Sequence, residues 1–174
     1  MRHLLVILAL GLILHVSPAV AETVEGVSRG SNTGLPLPRF VSLKSGKANL
    51  RTGPGRAYPI RWVYHRRFLP VQITDEYGHW RAVRDPWGET GWLHKSLLSG
   101  RRTAMVMQNL APLMREARTD SDILLYAERR VIGTLERCQA DWCRLSIEGR
   151  AGWMPVEILY GGTPASEGKK VSAR

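Results

Sequence analysis

Sustained helical periodicity is missing from this chain of 174 residues. No window repeats apolar positions at i, i+3, i+4 and i+7, which excludes a helical bundle and leaves short strands as the building units. Beyond the first 21 residues there is also no apolar run long enough to cross a bilayer, so no transmembrane anchor is expected in a mature chain. The common catalytic signatures are absent. No Gly-x-Ser-x-Gly elbow exists, which excludes the usual activated serine of an α/β-hydrolase. His65, His79 and His94 lie 79 − 65 = 14 and 94 − 79 = 15 positions apart. That spacing cannot place two imidazoles on one helical face as H-E-x-x-H does.

Cysteine is equally scarce, with Cys138 and Cys143 the only two. They are not spaced as C-x-x-C and no βαβ pattern surrounds them, against a redox-active pair. A zinc site would need two further ligands, and no His follows His94. Asp75, Glu76, Asp85 and Glu89 sit in or beside turns, where carboxylates commonly accept local hydrogen bonds. A metal site assembled across the fold, or an acid–base carboxylate pair, remains as a residual reading. The expectation is a chain that is not an enzyme and takes no cofactor or metal.

What is present begins with a leader. Arg2 precedes an apolar run from Leu4 to Leu14, and Ala19-Val20-Ala21 follows. A charged segment, an apolar segment and an A-x-A site read as a signal peptide over residues 1–21, with an uncleaved anchor as the competing reading. Export to a periplasmic or extracellular space makes a Cys138–Cys143 disulfide the default. Across so short a loop it is worth about 2 kcal/mol and pins the register of a hairpin.

The charge is strongly positive, with 25 Lys and Arg against 15 Asp and Glu, a net +10. Removing the leader takes away Arg2 and no acid, leaving 10 − 1 = +9. Such a field steers polyanions or anionic surfaces toward the protein, or serves solubility alone.

Two segments say the same thing in different words. Ala48-Asn49-Leu50-Arg51 leads to Trp80 and then to Gly91-Trp92-Leu93, while Ala111-Pro112-Leu113-Met114 leads to Trp142 and then to Gly152-Trp153-Met154. Leu50 to Trp80 is 30 positions and Leu113 to Trp142 is 29; Trp80 to Trp92 is 12 and Trp142 to Trp153 is 11. Internal repetition at roughly sixty residues indicates a small all-β domain present twice. The boundaries expected are a flexible, Pro-rich arm over 22–38, a first barrel over 39–100, a second, degenerate barrel over 101–160 and a disordered tail over 161–174. Short alternating strands separated by Gly, Pro and Asp turns fill both halves, and Lys95-Ser96-Leu97 lies in a segment read as a 3₁₀ turn. Closing each sheet would remove its edges, and Gly91 and Gly152 would let Trp92 and Trp153 turn inward. Trp80, Trp92, Trp142 and Trp153 are accordingly expected as structural residues, with ligand platforms as the alternative for Trp80 and Trp142. Leu35-Pro36-Leu37-Pro38 is either an extended lead-in packed on the first barrel or a ligand for a proline-binding groove.

Asn49-Leu50-Arg51-Thr52-Gly53-Pro54-Gly55, with Trp80 and Gly91-Trp92-Leu93 downstream, resembles the bacterial SH3 (SH3b) signature. In that family an N-x-R-x-G-P strand and turn open the domain and a Gly-Trp strand closes it. The second half departs from the signature: Pro112-Leu113-Met114-Arg115 replaces Asn-Leu-Arg-Thr, and the Gly-Pro-Gly loop is absent. The resemblance implies an all-β pair of small SH3-like barrels, non-catalytic and exported. It implies recognition of a cell-envelope component, with peptidoglycan or another anionic envelope polymer as partner.

Candidate ligand-binding residues are those that turns expose: Arg56, Tyr58, Arg66, Arg67, Tyr77 and Trp87. Aromatic rings offer flat apolar faces and Arg binds carboxylates in a bidentate way. The same rings serve equally well as packing between the two domains. The alternative functions are a scaffold that docks a protein partner or itself, and a binder of lipopolysaccharide or nucleic acid, for which only the charge speaks.

Overall fold

The computed structural model describes residues 28–162. The expected leader, the start of the arm and the tail beyond residue 162 lie outside the described residues. Among the described residues no helix is long and apolar enough to cross a membrane.

The first half comprises β1 (Arg39–Leu43), β2 (Ala48–Arg51), β3 (Ile60–Tyr64), β4 (Pro70–Tyr77), β5 (Trp80–Arg84), β6 (Thr90–His94) and, after a 3₁₀ turn over Lys95–Leu97, β7 (Leu98–Ser99). The second comprises β8 (Thr103–Val106), β9 (Ala111–Met114), β10 (Ile123–Ala127), β11 (Ile132–Gln139), β12 (Trp142–Ile147), β13 (Arg150–Pro155) and β14 (Leu159–Tyr160). The sheet orders are β3-β2-β6-β5-β4-β1-β7 and β10-β9-β13-β12-β11-β8-β14, the same path shifted by seven strands. The repeat in the sequence is therefore a repeat in topology, including a second 3₁₀ turn, Val156–Ile158, before the last strand.

Neither sheet closes into the expected barrel. Each is an open seven-stranded antiparallel sheet, because β3 and β7, or β10 and β14, occupy opposite ends and do not pair. The last strand in each half is only two residues long, a short edge that offers little for unwanted pairing.

The inward residues are aliphatic. Leu43, Leu50, Val71, Val83 and Leu93 form one core and Leu113, Leu145, Ile147 and Met154 the other. The expected inward turn of the Gly-Trp tryptophans is corrected for the first half: Leu93 is fully buried and Trp92 half-buried, while Trp153 is buried beside Met154. The glycines serve a close approach instead. A Cβ on Gly91 would stand 2.7 Å from the Arg51 carbonyl oxygen and from Leu50 Cγ; one on Gly152 would meet the Met114 carbonyl and Leu113 Cγ at the same distance. Glycine is what lets β6 and β13 press against β2 and β9.

β5 also runs in the opposite phase from that expected. Arg81 and Val83 point inward, so Trp80 lies half-buried on the outer side. The physical reason is Arg81, whose Nε lies 3.4 Å from the buried Glu76 carboxylate. Trp142 is half-buried for the same strand geometry, with Cys143 and Leu145 inward.

Residues 28–38 form an ordered arm rather than a flexible one. Leu37 is buried in the first core and Leu35 is exposed, so one of the two leucines packs. The arm is held by Glu76, whose carboxylate accepts hydrogen bonds from Asn32 N (3.0 Å), Thr33 N (2.9 Å), Thr33 Oγ1 (2.7 Å) and an Arg39 guanidinium nitrogen (2.5 Å). Gly161 and Gly162, assigned to a disordered tail, are buried against the second domain, where the Gly161 carbonyl accepts from Arg102 at 3.0 Å.

Cys138 and Cys143 form a disulfide across the β11–β12 hairpin, directly opposite one another with Cα atoms 4.0 Å apart. Such closeness belongs to the narrow pairs of an antiparallel ladder.

The two domains share a seam of apolar and polar contacts. Met105 of β8 is fully buried among the core residues of the first domain. Tyr160 packs edge-on against Phe40 (centroids 5.1 Å apart) and donates its hydroxyl to the Arg84 carbonyl at 2.7 Å. Thr103 Oγ1 donates to the Phe68 carbonyl at 2.8 Å.

Candidate functional site

The signature loop is built from the residues that define it. Arg51, at the end of β2, donates one guanidinium nitrogen to the carbonyls of Arg56 (3.0 Å) and Tyr58 (2.6 Å), tying the loop to the strand. The Tyr58 ring lies on the glycines: a Cβ on Gly53 would sit 2.3 Å from it and one on Gly55 3.2 Å. Asn-Leu-Arg-Thr-Gly-Pro-Gly thus encodes a clamp and a bed for an aromatic ring.

Beside this loop opens a cleft of about 330 Å³. Lys47 and Asn49 line it from the start of β2, Arg51 and Arg56 from the loop, and Trp80 and His94 from β5 and β6. Trp80 and His94 are directly opposed across the ladder and meet edge to face with centroids 5.4 Å apart. His94 Nδ1 lies 2.8 Å from Ser96 Oγ. Burial, followed by the nearby His79, Arg56, Lys95 and Arg81, holds the His94 pKa below the usual histidine value. At neutral pH the positive charge of the cleft therefore comes from Lys47, Arg51 and Arg56, and no lining residue is acidic. Arginine and lysine converging beside an indole suit a ligand that carries carboxylates or phosphates and has an apolar flank.

The second domain does not reproduce this cleft. Shifted by 63 positions, Lys47, Asn49 and Arg51 become Leu110, Pro112 and Met114, and the residue opposite Trp142 is Pro155 where His94 stands opposite Trp80. In place of the glycine bed, ion pairs staple the loop: Arg115 to Asp122, and Arg118 to Glu116 and Asp120.

The six residues expected to bind ligand do not come together. Arg56 lines the cationic cleft, and Tyr58 braces its loop. Arg66 and Trp87 line a second cleft at the seam between the domains. The Arg67 guanidinium lies over the Phe68 ring, 4.7 Å from its centroid, and Tyr77 is exposed and lines neither cleft. One of these rings does meet the other domain: the Arg130 guanidinium of the second domain lies 5.9 Å from the Trp87 ring centroid. Trp80, for which a ligand platform is the alternative reading, lines the cleft, whereas Lys47, Asn49, Arg51 and His94 are not among the ligand-binding residues the sequence suggests. Asn49 and Arg51 are in the signature itself, and the missing signal is the register that sets Arg51 opposite Trp92 and His94 opposite Trp80. Among the described residues no cluster of three or more His, Cys, Asp or Glu stands ready to hold a metal ion.

A family model of the bacterial SH3 domain matches residues 44–100 and 107–161. The chain belongs to the bacterial SH3 domain family, in two tandem copies. Among solved structures, NlpC2 from Trichomonas vaginalis is similar at 16% identity over 71% of this chain and 48% of that one, with a TM-score of 0.33. NlpC1 from the same organism is similar at 15% identity over 75% of this chain and 48% of that one, with a TM-score of 0.34. This chain thus spans about half the length of either. No curated protein matches it in sequence. The two family matches fall one on each sheet, so the degenerate second half is a bacterial SH3 domain that keeps the fold and has lost the charged cleft.

Proposed function

We propose that this protein is an exported, non-catalytic binding module for the cell envelope, with peptidoglycan as its ligand and the first domain as its binding half. The observation behind this reading is the cleft of Lys47, Arg51, Arg56 and Trp80, cationic on every charged position, whose Lys47 and Arg51 correspond to Leu110 and Met114 in the second domain. The carboxylates of a peptidoglycan peptide stem complement the guanidinium and ammonium groups, and the indole edge accommodates an aliphatic side chain. The net charge adds long-range attraction to an anionic wall. Membership of a family of binding modules is consistent with this. The leader and the disulfide favour an oxidising compartment, periplasmic or extracellular.

The test is co-sedimentation of the mature protein with purified sacculi at low and physiological salt, beside a Lys47→Glu/Arg56→Glu variant. Both side chains are exposed, so the variant is expected to fold. Pelleting that survives physiological salt and is lost in the variant supports wall recognition in the cleft. Pelleting that collapses with salt alone indicates a nonspecific polyanion binder. No pelleting at either salt overturns the reading and favours the scaffold, for which the exposed Ile60 and Trp62 of edge strand β3 are the observation.

A further inference from the structure

The second cleft, of about 570 Å³, lies where β3 and the β5–β6 turn of the first domain meet Arg130 of the second. We propose that it is a saccharide-binding site, with Trp62 and Trp87 as its stacking platforms. The inference concerns different residues from the wall reading and does not depend on it.

Two indoles are presented to solvent here, Trp62 at 56% exposure and Trp87 at 47%. An indole left this open loses the burial that normally stabilises it, so two around one cleft mark a recognition surface. Trp87 is also held in place. The buried Asp85 carboxylate accepts from Trp87 N (2.9 Å) and Glu89 N (2.8 Å) through one oxygen and from the Tyr64 hydroxyl (3.0 Å) through the other. Arg130, whose guanidinium lies 5.9 Å from the Trp87 ring centroid, is tied to the first domain, its carbonyl accepting from Arg66 at 2.7 Å. The turn that carries Trp87 is thus set before any ligand arrives, which lowers the ordering cost of binding.

Charge selects the class of ligand. Arg66 and Arg130 face Asp85 and Glu89, so the cleft has no net sign, unlike the cationic cleft on the same domain. A polyanion would meet the exposed Glu89 carboxylate with the buried Asp85 charge behind it, and a quaternary ammonium ligand would meet two guanidinium groups. A neutral pyranose meets neither penalty. Its C–H face lies flat on an indole, while its hydroxyls bridge guanidinium donors and carboxylate acceptors. Asp85 is buried and its carboxylate is engaged by the three bonds above. The exposed Glu89 carboxylate makes no hydrogen bond or ion pair among the described residues and is the acceptor for a sugar hydroxyl.

The test uses the indole N–H resonances of ¹⁵N-labelled protein, titrated with a soluble β-1,4-linked N-acetylglucosamine tetramer and, separately, a glucose tetramer. The resonances of Trp62 and Trp87, assigned by their loss in Trp62→Ala and Trp87→Ala, should shift with one or both sugars. Each variant should weaken binding about tenfold or more, as expected for truncation of a central aromatic contact. Glu89→Gln should weaken it less, and Tyr77→Ala should leave it unchanged. The remaining indole resonances verify that each variant is folded. The proposal is overturned if neither sugar moves these two signals at millimolar concentration, or if binding persists in both variants. It is also overturned if the same signals move only with protein concentration, because the occupant is then a second copy of the chain. Sugar binding without sacculus binding would leave this site standing and remove the wall reading; the reverse would do the opposite.

Discussion

Thr33 donates both its backbone N–H and its hydroxyl to a single carboxylate, that of Glu76, at 2.9 and 2.7 Å. Glu76 is buried, so an arm that precedes the first strand is fastened through an acid at the far end of β4. Gly30 makes the fit, since a Cβ there would stand 2.4 Å from the Glu76 carboxyl carbon.

Acid should release this arm. Burial alone would raise the Glu76 pKa, but hydrogen bonds from Thr33, Arg39 and Asn32 together with the charge of Arg81 outweigh it and hold the value at about 2. A carboxyl with a depressed folded pKa stabilises the fold fully above its unfolded value, and that contribution is lost as pH falls toward the folded value. Between about pH 4.5 and pH 2 the protein should therefore lose on the order of 2–3 kcal/mol from this group. Unfolding curves across that range check it. Glu76→Gln should be less stable at neutral pH and show a flatter acid limb.

Changing Gly53 to Ala should damage binding more than folding. The new methyl would lie 2.3 Å from the Tyr58 ring, so the ring must leave its bed and drag the carbonyl that Arg51 holds. Tyr58 is exposed, so displacing it removes little core. The expected result is a loss of stability of about 1 kcal/mol, the ordinary cost of a point substitution. Sacculus binding should fall by a larger factor, read by co-sedimentation beside a melting curve.

Much of the fold was legible because its signals are local. The strand at Ala48–Arg51, the hairpin joined by Cys138 and Cys143, and the matching order of both halves follow from turn residues and repetition. Side-chain direction was not legible where a buried charge overrides the hydrophobic pattern. Arg81 turns inward to meet Glu76, which sends Trp80 outward into the cleft, and no alternation rule foresees that. The order of the arm is hidden from the sequence for a related reason: its Ser-Asn-Thr segment has nothing to bury, and its order comes from hydrogen bonds to an acid more than forty positions away. Neither cleft was visible as a unit. Each draws residues from strands adjacent only in the folded sheet, and the seam cleft also needs the other domain.

Tyr64 and Asp85 form a buried polar pair whose removal should be costly. Tyr64→Phe leaves one Asp85 oxygen without its hydroxyl donor and should cost about 1–3 kcal/mol. Asp85→Ala strands the Tyr64 hydroxyl and two backbone N–H groups, and should cost more. Burial, then the Asp85 charge and hydrogen bond, pushes the Tyr64 hydroxyl well above the ordinary tyrosine value, and burial does the same for Tyr160. Because the folded values are raised, the stability from these groups is complete below about pH 10 and declines at higher pH. An ultraviolet titration should show the Tyr64 and Tyr160 hydroxyls ionising only as the protein unfolds.

Met105 makes the two domains one cooperative unit. It belongs by sequence and hydrogen bonding to the second sheet, pairing with Ile132 and Tyr160, yet its side chain is fully buried in the core of the first domain. Ile132 and Tyr160 pack against that same core from the second domain. Unfolding either half therefore exposes apolar surface of the other, and thermal unfolding should be a single transition. Met105→Ala removes the central contact and should cost about 2–5 kcal/mol, the range for large-to-small changes in a core. The cost should fall on the coupling between domains. Calorimetry should show the transition moving down and broadening, toward separate unfolding of the halves, with the disulfide-linked second domain outlasting the first. A uniform downward shift with the transition still sharp would place Met105 as an ordinary core residue and assign the coupling to the polar contacts of Tyr160 and Thr103.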